Sequence, residues 1–144
     1  MLHKMKAFLK EKDMCVLATC LGGKPHCSLM AYVTDDAGEV VYMTTLKDTQ
    51  KYMNLKENPQ VSLLIDNRER MDISRDRTCA LTVSGSYFPP MDPQEKKSIL
   101  SKISQKHSHL AQLVNDPRAE VLCIRIESFL LLEGALDAHF ERVS

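Results

Sequence analysis

The chain has 144 residues, 44% of them hydrophobic and 26% charged, with nineteen Lys and Arg balancing nineteen Asp and Glu. At roughly 150 residues per domain this is one domain's worth of chain, and its composition excludes wholesale disorder. The even charge removes the electrostatic case for nucleic acid, and no run approaches the ~20 apolar residues of a membrane-spanning helix. Met1 to Lys12 has no signal-peptide core, so residues 1–144 read as a single cytoplasmic domain. Cysteines at 15, 20, 27, 79 and 123 are odd in number and lack CxxC spacing. They read as small buried hydrophobes in a reducing compartment, and neither a disulfide framework nor a metal is expected.

In chain order, residues 2–12 place Leu2, Met5 and Leu9 at helical spacing with Lys between them, a short amphipathic helix. Cys15 to Leu21 is a compact strand, Gly22-Gly23-Lys24 a turn, and Pro25 to about Thr34 a second strand. A turn at 35–38 leads to a third strand, Glu39 to Thr45. Two tight turns joining three strands make an antiparallel meander. Asp48 to Asn58 is helical and Pro59 stops it. Val61 to Asp66 alternates as a strand. Residues 67–77 are dense in charge, either a solvated connection or a flap over a site or partner. Cys79 to Phe88 is a strand whose interior Gly85 signals a bulge or a close backbone approach.

Asp92-Pro93-Gln94-Glu95 carries the signals of a helix start. The helix runs through Ile99, Leu100 and Ile103, resumes through Leu110, Leu113 and Val114, and ends at Asn115-Asp116-Pro117. Val121 to Glu133 is the last strand. Its stretch 129–132 is apolar on both faces, as in a core position or a subunit interface. Six mostly antiparallel strands, with helices between the third and fourth and between the fifth and sixth, predict a mainly β (α+β) fold built as a small barrel.

The most informative stretch for chemistry is 42–59. A strand ends at Thr44-Thr45 and a helix opens near Asp48, with Thr49, Gln50 and Lys51 in its first turn. A helix N-terminus presents unpaired N–H groups and about half a positive charge. Lys47 and Lys51 add cations where acidic residues are favoured, a conflict that a bound anion would remove. A phosphate there would accept charge-assisted bonds worth roughly 1.5–3 kcal/mol each. The alternative is an ordinary capping arrangement of Thr45 and Asp48 with solvated lysines. There is no P-loop, GxGxxG or GxSxG.

These elements and motifs together resemble the flavin-binding split-barrel family related to pyridoxamine 5′-phosphate oxidase. The resemblance rests on Gly23-Lys24-Pro25-His26, on Val41-Tyr42-Met43-Thr44-Thr45, on Lys51, Asn54-Leu55 and Asn58-Pro59-Gln60-Val61-Ser62-Leu63, and on Ala80 to Gly85 and Ile124 to Gly134. It spans roughly residues 10–134. It implies a six-stranded antiparallel split β-barrel with flanking helices, a homodimer with two FMN sites at its interface, and a flavin-dependent oxidoreductase acting on a small molecule. By the same resemblance Thr45, Thr49, Gln50 and Lys51 hold the FMN phosphate, with Thr44 beside them. Ser28, Leu29 and Met30 line the isoalloxazine, and Leu132 reaches the flavin from the partner subunit. The oxidase has arginines where this chain has Ser28 and Gln50, and a lysine where it has Val33. Oxidation of pyridoxine or pyridoxamine phosphate is therefore not expected. The alternatives are a split barrel holding haem or a deazaflavin, with His26, His107 or His139 as axial candidates, or a non-catalytic flavin sensor.

Overall fold

The computed structural model describes residues 1–143. Helix α1 (Leu2–Glu11) leads into β1 (Met14–Leu21) and β2 (Lys24–Ala31), joined by a turn in which Gly22 and Gly23 both take positive φ. Strands β3 (Val33–Thr34) and β4 (Val40–Leu46) follow, then α2 (Gln50–Glu57), β5 (Gln60–Asp66) and β6 (Cys79–Phe88). Helices α3 (Pro93–Lys106) and α4 (Ala111–Val114) precede β7 (Ala119–Glu133) and β8 (Asp137–Arg142). All strand pairings are antiparallel, in the order β2-β1-β5-β6-β7-β4-β3, with β8 on β7 beyond the reach of β4. The split-barrel class expected from the sequence is the observed one.

Eight strands replace the six expected, for two reasons. The long second strand breaks at Tyr32, giving β2 and β3. These two lie at opposite ends of the strand order although a single residue separates them, so the break curls the sheet toward a barrel. Tyr32 is held from three sides. Its N–H donates to the Asp13 carbonyl at 3.0 Å, its hydroxyl to the Leu9 carbonyl at 2.5 Å, and its own carbonyl faces His107 Nε2 at 3.0 Å. A carbonyl only accepts, so that imidazole nitrogen carries the proton. The eighth strand is the C-terminal segment, whose polar sequence lacks a strand signal. It pairs along Ser128 to Glu133 and covers the part of the β7 edge that β4 leaves open.

The barrel interior is filled by alternate residues of the strands: Leu17, Met43, Leu63, Ile65, Leu81, Val83, Phe129 and Leu131 are all at most 1% exposed. Met5 and Leu9 of α1 and Leu55 of α2 join this core. α1 is tied to the break at Tyr32 through the Leu9 carbonyl, and α2 meets the end of β1 through Asn54 to Thr19 and Asn58 to the Cys20 carbonyl. A second cluster packs Ile99 and Ile103 of α3 on Val33, Val40, Val121 and Cys123. Asp92 caps α3 by accepting from the Glu95 N–H at 2.8 Å. The expected irregularity at Gly85 is present as a register shift between Ser84 and Gly85.

Candidate functional site

Two strand edges are left open where the barrel does not close. β2 pairs with β1 on one side and with nothing on the other among the described residues. β4 pairs with β3 only at Val41 and Tyr42, and from Met43 to Leu46 only with β7. The backbone groups of Ser28, Leu29 and Met30 therefore border the same opening as Thr44 and Thr45. Met30 is buried on the inner face, and Leu29 is 70% exposed on the outer one.

The first turn of α2 sits by this opening. The helix begins after Thr49, no side chain caps it, and its first turn holds no acidic residue. The N–H groups of Gln50, Lys51 and Tyr52 are thus left without intrahelical acceptors. The capping alternative for Asp48 is not what the structure shows. The Asp48 carboxylate pairs with Arg118 at 3.2 Å, drawn away from the helix by a residue seventy positions later. The Thr45 and Thr49 hydroxyls lie 3.0 Å apart, and Thr49 also donates to the Leu46 carbonyl at 2.9 Å. The Thr44 hydroxyl points elsewhere and donates to the Glu120 carbonyl.

Lys51 is half-buried, and burial pushes its ammonium below the usual lysine range. No carboxylate pairs with it among the described residues, whereas Lys47 is matched by Glu120 at 3.5 Å. A partly desolvated cation beside an uncapped helix N-terminus is an arrangement that an anion stabilises.

Two positioning residues escaped the sequence reading. The Gln50 amide donates to Asn54 Oδ1 at 2.8 Å, and the Asn54 amide donates to Thr19 Oγ1 at 3.1 Å. Asn54 and Thr19 are each 2% exposed, so this buried chain fixes the first turn of α2 against β1. A polar Asn on the buried face of a short helix was the available signal. Of the remaining candidates, Leu132 lies apart from the opening, 42% exposed on the outer face opposite Ala80 and Ala138. His107 is buried at the C-terminus of α3, and His139 lies 3.4 Å from Glu133. Burial pushes the Cys15 and Cys123 thiols up to about 12, which makes them inert packing groups.

An antiparallel sheet that bends at one residue and stays split beside a helix N-terminus defines a split-barrel protein. The family model described as pyridoxamine 5′-phosphate oxidase matches residues 1–133, and the chain belongs to that family. A Schizosaccharomyces pombe protein described as a pyridoxamine 5′-phosphate oxidase homologue is 32% identical over 81 residues, 48% of this chain. The match spans 43% of that relative's length. Among solved structures, a putative pyridoxamine 5′-phosphate oxidase from Listeria innocua superposes with a TM-score of 0.71 at 25% identity, covering 90% of this chain and 96% of its own. A haem-binding protein from Mycobacterium smegmatis superposes at 0.81 with 14% identity, covering 96% of this chain and 56% of its own. Among the described residues, no helix is long and apolar enough to cross a membrane.

Proposed function

We propose that this chain binds FMN in the opening between β2 and β4 and acts, as a homodimer, as a flavin-dependent oxidoreductase on a small molecule. The observation that carries this reading is the first turn of α2: uncapped N–H groups, a half-buried Lys51 with no carboxylate partner among the described residues, and Asp48 turned away to Arg118. A phosphate group fits that donor set. The N–H groups would donate to it, Lys51 would neutralise it, and the Thr45 and Thr49 hydroxyls would redirect their protons toward it. Gln50 would contribute at the rim, its amide held by Asn54. The open edge of β2 at Ser28, Leu29 and Met30 offers backbone donors and acceptors to the polar edge of a flat ring. Bound FMN would supply the hydride and electron chemistry, and the protein would hold, orient and tune it.

The homodimer is supported by the outer face of the sheet. Paired residues Leu29, Val16, Leu64, Thr82, Leu130 and Phe140 form one continuous row across five neighbouring strands and β8. At its β8 end Phe140 is 56% exposed, and Leu132 stands beside it at 42%. A largely apolar row of this kind, broken only at Thr82, is the sort of face that serves as an association surface. It would carry Leu132 of one protomer to the other, as the flavin reading requires.

Haem is the second reading. It is favoured by the placement of His139 beside Glu133, the carboxylate–imidazole pairing that orients a ligating histidine. An absorption titration separates the two. A flavin band near ~450 nm that shifts and saturates with added FMN supports the first reading. A Soret band on adding haemin, with no response to FMN, replaces it with the second.

A further inference from the structure

One buried polar atom is left without a partner among the described residues: Nδ1 of His26 is enclosed by protein and makes no hydrogen bond. Such an atom is costly, and native structures hold few of them unless a water, an ion or a ligand supplies the missing bond. His26 stands on β2, whose outer edge is unpaired among the described residues, and it shares a face with Ser28 and Met30. That face is the inner one, because the partners of these three residues across β1 are Thr19, Leu17 and Cys15, each at most 2% exposed. His26 itself is half-buried. With Nδ1 enclosed, Nε2 is the nitrogen on the accessible side of the ring.

The register puts His26 directly opposite Thr19. Side chains paired in this way have Cβ atoms about 4.5–5.5 Å apart. The Thr19 hydroxyl accepts from the Asn54 amide at 3.1 Å, and Asn54 Oδ1 accepts from the Gln50 amide at 2.8 Å. Thr19 therefore has a hydrogen still to donate, and Nδ1 has a lone pair still to fill. These two free valences face each other at the end of a hydrogen-bond chain that begins in the first turn of α2. When Nδ1 accepts from Thr19, a neutral ring carries its proton on Nε2 and offers a donor on its accessible side.

We propose that His26 is a ligand-contacting residue of the α2 site. Its Nε2–H donates to an acceptor oxygen of the molecule bound there, and its Nδ1 closes onto the Thr19 hydroxyl as that molecule binds. This contact rests on the FMN reading and extends it to β2. Lys51 supplies the charge from one wall of the opening, and His26 supplies a neutral donor from the other. Behind the ligand the two walls are joined through Thr19, Asn54 and Gln50.

Two substitutions separate the roles of the two ring nitrogens. His26→Gln keeps a donor amide near the place of Nε2, whereas His26→Asn keeps a polar atom near Nδ1 only. The full chain and both variants are titrated with FMN, and the imidazole ¹⁵N resonances of the parent are followed through its titration. FMN should bind His26→Gln within about threefold of the parent and His26→Asn roughly tenfold more weakly. At saturation the parent's His26 ring should show the resonance pattern of a neutral imidazole protonated on Nε2, with Nδ1 accepting a hydrogen bond. Equal FMN affinity of the parent and His26→Asn overturns the proposal and leaves the flavin reading standing; a lowered melting temperature in that variant would then assign His26 to stability alone. Equal weakening by the two substitutions, or a ring protonated on Nδ1 in the complex, overturns it as well. A parent that does not bind FMN removes the flavin reading, and the His26 contact falls with it.

Discussion

Gly85→Ala sets two effects of opposite sign against each other, and the structure decides which wins. An added Cβ would lie 2.4 Å from the Arg125 carbonyl oxygen and 2.9 Å from Ile124 Cγ2. Both belong to β7, whose Glu127 is the extra residue of the bulge. The oxygen is backbone and cannot rotate away, so β6 and β7 must part by more than half an ångström. The pairings Gly85 to Ile126 and Ser86 to Arg125 would then weaken. Losing about two ladder hydrogen bonds costs roughly 1–3 kcal/mol. Replacing glycine also narrows the unfolded ensemble, which returns about 0.4–1 kcal/mol. The net expectation is destabilisation by about 1–2 kcal/mol, seen as a lower urea midpoint and a Tm lowered by ~3–8 °C. Ser84→Ala, one residue earlier, should stay within about 0.5 kcal/mol of the parent. A Gly85→Ala protein more stable than the parent, by the about 0.4–1 kcal/mol of the unfolded-state term alone, would refute the close-approach argument.

Four further outcomes are expected. Leu130→Asp combined with Phe140→Asp should shift sedimentation from dimer to monomer with the far-ultraviolet spectrum unchanged; a persistent dimer would exclude the outer face as the interface. Asp92→Ala should lower stability by about 1 kcal/mol in urea titration, the usual cost of an N-cap whose oxygen accepts from the third helical residue. At pH 8 a thiol reagent should label exposed Cys27 rapidly and spare buried Cys15 and Cys123 until the chain unfolds. Those two thiols are raised from 9.0 to about 12 in the folded state. Their contribution is whole below about pH 9 and is lost between about 9 and 12, where the unfolded chain releases protons that the folded chain keeps. Stability measured across that window should fall, and should fall less in Cys15→Ala.

Much of the barrel was legible because its strands alternate cleanly. Val61 to Asp66 and Cys79 to Phe88 keep their expected limits to within a residue. The capping signal at Asp92 marks the start of α3 correctly. The break at Tyr32 was not legible, because a β-rich run with unbroken alternation gives no local reason to bend. The bend is imposed by Asp13, Leu9 and His107, which are distant in sequence. β8 was missed because Asp137 to Arg142 is polar, and what stabilises it is the open edge of β7. Around the site, the sequence placed the cation and the hydroxyls at the start of α2. It could not show that Arg118 removes Asp48, or that Thr19 anchors the Asn54 amide that holds Gln50, since those two contacts span 70 and 35 positions.

Whether the first turn of α2 holds a phosphate is decided most directly by titrating the chain and its Lys51→Ala variant with FMN and with riboflavin, which lacks the phosphate. FMN should bind the parent more tightly than riboflavin does. Loss of the Lys51 charge-assisted bond, worth about 1.5–3 kcal/mol, should weaken FMN roughly 10- to 100-fold and leave riboflavin nearly unchanged. Equal affinity of the parent for the two flavins, or an FMN affinity indifferent to Lys51→Ala, would contradict the assignment of this turn as the phosphate site.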